Sequence, residues 1–313
     1  MARKIALGLL GIFFLVAVAA VLAIRLMDPA TLLKWSMDRE RSKAGLSESA
    51  VQIDDHTMAY VEGGSGPNLI LLHGYNAEKD HWTRMAQHLT KPVHLVAPDL
   101  PGAGNSSRLQ DASYDYRSQV TRLKRFVDER GLAPMFLGGN SMGGHISALY
   151  AATYPSDVKG LILFNAAGVT SPIPSELQRE REKGRNPLVA RNAEEFEALM
   201  NFVFEKPPWL PDNIKTHFAE KSIANTAFAE KIWADLMRQP VKLEEMLPHI
   251  QIPTLIIWGE FDRVIHPSAA DVFHRLLPQS KLVMMEGIGH APMLEDPAES
   301  AALVEEFIAQ HHR

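Results

Sequence analysis

Cysteine is absent from all 313 residues. That excludes disulfides, thiolate metal sites and cysteine nucleophiles in one step. It leaves the compartment open, because a cysteine-free chain suits reducing and oxidising surroundings alike. An excess of positive charge is also missing: 32 Lys and Arg stand against 37 Asp and Glu, a net charge of −5. This balance lacks the basic footprint of a nucleic-acid binder, and no nucleic-acid partner is expected. Internal repeats are absent too. What remains, 46% hydrophobic and 22% charged, is the composition of a folded chain and not a disordered one. Its length suffices for one large α/β core plus an insertion.

Charge and strongly polar groups are also absent from Ile5 to Ile24, a run bounded by Arg3, Lys4 and Arg25. Twenty helical residues span about 30 Å, the thickness of a bilayer's hydrocarbon core. The competing reading is a cleaved signal peptide, whose apolar stretch is usually about 7–15 residues. Ala17-Val18-Ala19 would serve as its cleavage site. Length favours an uncleaved transmembrane anchor over residues 1–27. Basic residues flank both ends, so the positive-inside rule gives no clean orientation. The very short basic N-terminus points to export, which would place the anchor in a bacterial inner membrane with the rest of the chain facing the periplasm. Ala19 and Ala23 are spaced for close helix approach, which would allow a homodimer through the N-terminal helix.

Residues 28–49 read as a juxtamembrane helix or linker. Pro29 suits a first helical turn and Gly45 a C-terminal stop. The mixture of Leu32, Leu33, Trp35 and Met37 with Lys34, Arg39, Arg41 and Lys43 fits a helix at the bilayer surface. It fits a connector packed on the domain equally well.

From residue 50 short apolar strands alternate with helical stretches. Val51–Val61 reads as a strand or hairpin. The runs 69–72, 93–96, 135–137, 161–164, 255–258 and 282–285 are continuously apolar, as expected of a parallel sheet covered on both faces. Helices are expected near 79–90, 116–130, 142–153, 267–277 and 297–311. The alternation predicts an α/β fold with a doubly wound, mostly parallel sheet over 50–170 and 249–313. The interval 171–248 is far too long for a crossover and is expected to form a helical cap.

Gly139-Asn140-Ser141-Met142-Gly143 matches G-x-S-x-G, directly after the strand at 135–137 and directly before a helix. That context presents a serine at a strained turn, on a helix N-terminus that favours developing negative charge. A serine hydroxyl needs a general base held by a carboxylate. In hydrolases built on this turn the chain order is Ser, acid, His. Asp262, just beyond the strand at 255–258, is the expected acid, with Glu260 as the alternative. Some such hydrolases carry the acid one strand earlier, but Phe164-Asn165-Ala166-Ala167-Gly168 holds no carboxylate. His290, after the last strand, is the expected base among thirteen histidines. His266 reads as structural and His73 as a brace for its loop. The oxyanion hole needs two backbone N–H donors, assigned to Met142 and Tyr75. This chemistry calls for no cofactor and no metal.

The motifs HGYNAEKDHW (73–82), DLPGAGNSS (99–107), GGNSMGGHISALYAATYP (138–155), IPTLIIWGEFDRVI (252–265) and GIGHAPMLEDP (287–297) together resemble the α/β-hydrolase superfamily over about residues 50–311. Within it, the chain is most similar to the family V bacterial lipases, the membrane-bound bacterial phospholipases A1 and the mammalian monoacylglycerol lipase called α/β-hydrolase domain-containing protein 6. Ala103 departs from them, since relatives often carry histidine there. The resemblance implies hydrolysis of carboxylic esters of lipid-like substrates by an anchored enzyme. Ser141 and Met142 differ from the aspartate elbow of dehalogenases and epoxide hydrolases and from the tryptophan that usually follows the serine in proline iminopeptidases. A general carboxylesterase or carbon–carbon bond hydrolase is the alternative. A non-catalytic interaction module of this fold would usually lack a triad member, and all three are present. In the expected cap, Phe196, Leu199, Met200, Phe202, Val203, Phe204, Trp209 and Leu210 either line an acyl channel or form the cap's own core. Phe202, Phe204, Trp209 and Leu210 are the candidate substrate contacts.

Overall fold

The computed structural model describes residues 28–89, 93–208 and 210–312. The anchor expected over 1–27 and the substrate contact expected of Trp209 lie outside them. Among the described residues no helix is long and apolar enough to cross a membrane.

Asp28 caps helix α1 (Pro29–Lys43) by accepting the Thr31 N–H at 3.0 Å, with Pro29 in the first turn. The helix stops before Gly45, which takes a left-handed φ of 65°. One side of α1 packs on the domain and the other is open. Leu32 is 6% exposed, whereas Trp35 is 51% exposed with Arg39 over its ring. Arg41 clamps α1 to the core. Its guanidinium forks onto Asp80 at 2.6 and 2.5 Å and reaches Glu48 at 2.6 Å. Lys79, itself buried, bonds Asp99 at 2.9 Å in the same network.

Eight strands form one sheet: β1 (Leu46–Ile53), β2 (His56–Gly63), β3 (Asn68–Leu72), β4 (His94–Pro98), β5 (Met135–Asn140), β6 (Val158–Phe164), β7 (Thr254–Gly259) and β8 (Ser280–Met285). The order is β1-β2-β4-β3-β5-β6-β7-β8. The β1–β2 hairpin and the β2–β4 pair are antiparallel, and all other pairs are parallel. The sheet thus begins at Leu46, four residues before the boundary expected at 50. β1 is an edge strand with polar Ser47, Glu48 and Ser49 toward its start, so it carries little of the apolar signature of the inner strands.

Successive inner-strand residues face opposite layers. Leu69, Leu71, Phe136, Ile162 and Ile257 join one cluster with Trp82 and Met85 and with Val304, Phe307 and Ile308 of α11 (Pro297–His311). Ile70, Leu72, Leu137, Leu163 and Ile256 join the other. That layer is covered by α3 (Tyr116–Arg130), α4 (Met142–Thr153) and α9 (Ser268–Leu276). The four-residue helices α2 (Thr83–Ala86) and α10 (Pro292–Glu295) lie in loops. Between β6 and β7 come α5 (Glu176–Glu182), α6 (Ala193–Val203), α7 (Asp212–Ala224) and α8 (Thr226–Arg238). Phe196, Ala190 and Ala219, with Leu199, Met200 and Phe218 against them, give this insertion a small core of its own.

Candidate active site

The C-terminal ends of parallel strands are where an open α/β sheet offers a crevice. Here they carry Gly74, Ser141, Asn165, Asp262 and His290. Ser141 joins β5 to α4 at φ 55°, ψ −116°. Such a conformation costs a non-glycine residue about 1–3 kcal/mol unless its surroundings enforce it. They do: its N–H donates to Phe164 O at 3.0 Å, and its C=O accepts from His145 and Ala167 at 3.1 and 3.0 Å. The flanking glycines are set by close approach. A Cβ on Gly139 would lie 2.4 Å from the Gly143 carbonyl carbon, and one on Gly143 would lie 2.3 Å from Leu72 O. A Cβ on Gly74 would come within 3.3 Å of the Ser141 Cβ, so the loop after β3 lies directly against the serine.

Asp262 is buried in the turn after β7. Its Oδ1 accepts the N–H groups of Val264 and Ile265 at 2.8 and 2.9 Å. Its Oδ2 accepts Asn165 Nδ2 at 2.7 Å and meets His290 Nδ1 at 2.9 Å. Glu260 is exposed, and of the two carboxylates it is Asp262 that contacts the imidazole. The buried His290 is held through its backbone. Its N–H donates to Val203 O at 2.9 Å, and its C=O accepts from Asn140 Nδ2 at 3.0 Å. Glu295 fixes the same loop by accepting the Gly289 N–H at 3.0 Å and the Glu205 N–H at 2.9 Å.

Asn165, Asn140 and Glu295 did not stand out in the sequence. Asn165 occupies the position where the acid was sought and not found. It supports Asp262 from there instead.

His73 braces its loop: Nε2 accepts the Leu100 N–H at 2.9 Å and Nδ1 donates to Gly74 O at 2.7 Å. Complete burial lowers its basicity, in keeping with that neutral tautomer. Next to it, Tyr75 turns its side chain into the insertion. The hydroxyl donates to Ala229 O at 2.7 Å and the ring meets Trp233 edge-on at 5.1 Å. Burial first, then the Glu230 carboxylate, pushes the Tyr75 phenol well above its ordinary value. Met142 is buried at the first position of α4, and His266 bonds Ser268 at the start of α9.

Residues 67–297 match the family described as alpha/beta hydrolase fold. The chain belongs to that family. It is 39% identical to Lipase 1 of Psychrobacter immobilis over 268 residues, 84% of each chain. It is 30% identical over 311 residues to monoacylglycerol lipase ABHD6 of Bos taurus, covering 94% of this chain and 92% of that one. The crystal structure of a membrane phospholipase A superposes with a TM-score of 0.89 at 44% identity, covering 99% of both chains.

The candidate substrate contacts of this hydrolase separate in space. Phe204 is buried in the sheet-side cluster with Ile288, Ala291 and Met293, beside the His290 loop. Phe202 faces a surface depression of about 460 Å³ lined by Glu176, Arg179 and Lys183. Leu210 is half-buried ahead of α7. Phe196, Leu199 and Met200 belong to the insertion's own core. Among the described residues no group of His, Asp or Glu is placed to hold a metal ion.

His145, four residues after the serine, stacks on Tyr116 at 3.6 Å between centroids, and its buried Nε2 has no hydrogen-bond partner among the described residues. Burial outweighs a bond to the Val241 main chain and pushes its pKa from 6.5 down to about 3. Between those values the unfolded chain binds a proton here that the folded chain refuses. Stability is therefore full above pH 6.5 and declines as pH falls, by up to about 1.4 kcal/mol per unit. His145→Phe keeps a ring on Tyr116 and removes the titration. Urea unfolding of the variant is expected to lose less stability between about pH 6.5 and 4.5 than wild type does. Equal losses in both proteins would contradict this.

Proposed function

We propose that the chain is a membrane-anchored lipid-ester hydrolase working through an acyl-enzyme on Ser141. That it is an ester-hydrolysing serine hydrolase follows from its family and its lipase and phospholipase relatives. The observation carrying the catalytic assignment is the buried contact between His290 Nδ1 and Asp262 Oδ2, on the strand edge that also bears Ser141. In this reading the Ser141 Oγ bonds to the ester carbonyl carbon as its proton passes to His290 Nε2. Asp262 holds the Nδ1–H and stabilises the imidazolium. The N–H groups of Met142 and Tyr75 receive the oxyanion. Collapse expels the alcohol, which takes the proton from His290. Water then attacks the acyl carbon by the same route and releases the fatty acid. The insertion, residues 171–248, serves as a cap over this edge, with Phe204 on the acyl side.

Residues 1–27 form the anchor in this proposal. They hold the domain at a bacterial inner membrane, on the periplasmic side, where lipid esters are concentrated. Pairing of two anchors through Ala19 and Ala23 would make the enzyme a homodimer. The membrane phospholipase A likeness over 99% of both chains supports the location.

Purified full-length protein is expected to release fatty acid from monoacylglycerol and phospholipid dispersions as well as from p-nitrophenyl esters. Hydrolysis of the soluble esters alone would overturn the lipid reading. The full-length chain is also expected to sediment with membranes and to stay there in high salt, since a spanning helix is not held by charge. Removal of residues 1–27 should free an enzyme that retains short-ester activity and loses far more on bilayer phospholipid. Equal loss on both substrates, or a soluble full-length chain, would contradict the anchor.

A further inference from the structure

The loop after β3 is held from two sides. The core grips its ends: His73 Nδ1 donates to Gly74 O at 2.7 Å, and the Lys79 N–H donates to Asp99 Oδ1 at 2.7 Å. Between those ends the side chains of Tyr75, Asn76 and Glu78 all turn to the insertion. The Tyr75 hydroxyl donates to Ala229 O at 2.7 Å. Asn225 Nδ2 donates to Asn76 Oδ1 at 3.1 Å, and Lys221 Nζ pairs with Glu78 Oε2 at 2.7 Å. Asn76 Nδ2 adds a longer bond to Leu188 O at 3.4 Å.

Two features single out the pair of asparagines. Asn76 stands at φ 55°, a left-handed conformation that asparagine reaches more readily than most side chains. Such a conformation persists when its surroundings enforce it. Asn225 stands at the N-cap of α8, where an asparagine side chain ordinarily accepts an N–H of the first turn. It makes no such bond here. Its amide goes instead to Asn76, 149 residues away in sequence. The contact is therefore spent on the loop and not on the helix that carries it. That loop lies against the serine, since a Cβ on Gly74 would come within 3.3 Å of the Ser141 Cβ.

We propose that Asn225 is a positioning residue for the Tyr75 N–H. It holds Asn76 in its left-handed turn, and so keeps the oxyanion donor aimed beside Ser141. The insertion thereby completes the oxyanion hole as well as covering it, and chemistry is tied to the insertion being seated. The inference rests on the reading of Tyr75 as an oxyanion donor and adds what orients it.

The test uses the full-length enzyme and p-nitrophenyl butyrate. Loss of a whole oxyanion donor costs about 10²–10³-fold in kcat, and Asn225→Ala, which only loosens one, should cost about tenfold with KM changed less than about twofold. The urea midpoint should stay near that of wild type, because no helix cap is lost. Asn225→Asp should recover most of kcat, since the Asn76 amide can turn and donate to the carboxylate. A trifluoromethyl ketone adds reversibly to a serine and places its oxygen in the hole, so its Ki should rise about as far as kcat falls. Asn76→Ala removes the same contact from the loop side and should show the same pattern. In that background Asn225→Ala should cost nothing further. An unchanged kcat in Asn225→Ala, or in Asn76→Ala should the first variant not fold, overturns the proposal. A raised KM with kcat intact also overturns it and assigns Asn225 to substrate contact. So does a lowered kcat with Ki unchanged, which would place the effect outside the oxyanion hole. Multiplicative losses in the double variant, or a lowered urea midpoint without recovery in Asn225→Asp, would assign the asparagines to packing alone. Wild type that neither cleaves the ester nor binds the ketone overturns the ester-hydrolase reading instead.

Discussion

Ser141→Ala is expected to lower kcat on a short ester by on the order of 10⁵-fold while the protein stays folded. Binding and the oxyanion donors would leave a small residual rate above that of water. The fold should tolerate the change, because the turn is held by the Ser141 backbone and not by its hydroxyl. Its N–H and C=O carry three hydrogen bonds that alanine keeps. Alanine at φ 55° retains the strain that serine already bears. A fluorophosphonate probe, which reports a nucleophilic serine covalently, should label wild type and spare the variant. Equal labelling of the two proteins would remove Ser141 from the mechanism.

Asp262→Asn should cost on the order of 10⁴-fold in kcat, because an amide favours the wrong imidazole tautomer. The surroundings sharpen that expectation. Asp262 accepts from two backbone N–H groups, Asn165 Nδ2 and the imidazole. An amide at this position must turn its NH₂ toward one of those donors or toward His290. Glu260→Gln alters an exposed carboxylate and should change kcat by no more than about twofold. Steady-state kinetics of both variants on one p-nitrophenyl ester decide the matter. The reverse ranking would show that the acid is Glu260.

The inner strands were legible because burial on both faces writes a continuous apolar run, as in Leu69–Leu72 and Leu161–Phe164. The candidate triad was legible because each member sits in a short local pattern just past such a run. β1 was read late, because half of an edge strand is polar. Asn165 was passed over for a different reason. A neutral amide announces nothing by itself, and its meaning depends on a carboxylate 97 residues away. Val203 and Asn140 share that difficulty, since each supports the His290 loop across a long stretch of sequence. The apolar residues of the insertion posed a third kind of problem. Composition alone could not sort Phe196, in the insertion's own core, from Phe204, against the sheet, because both surroundings ask for the same side chain.

The Arg41 clamp also restricts rotation. An exposed ion pair is weak enough to let a helix swivel on the body it touches. Here the two side chains are 11% and 5% exposed, and the guanidinium is bound at both prongs to a single carboxylate. Parting them would strand a charge on each side of a nearly dry contact. Leu32, nine residues earlier, is buried on the same helix. The helix turns with the core as one body.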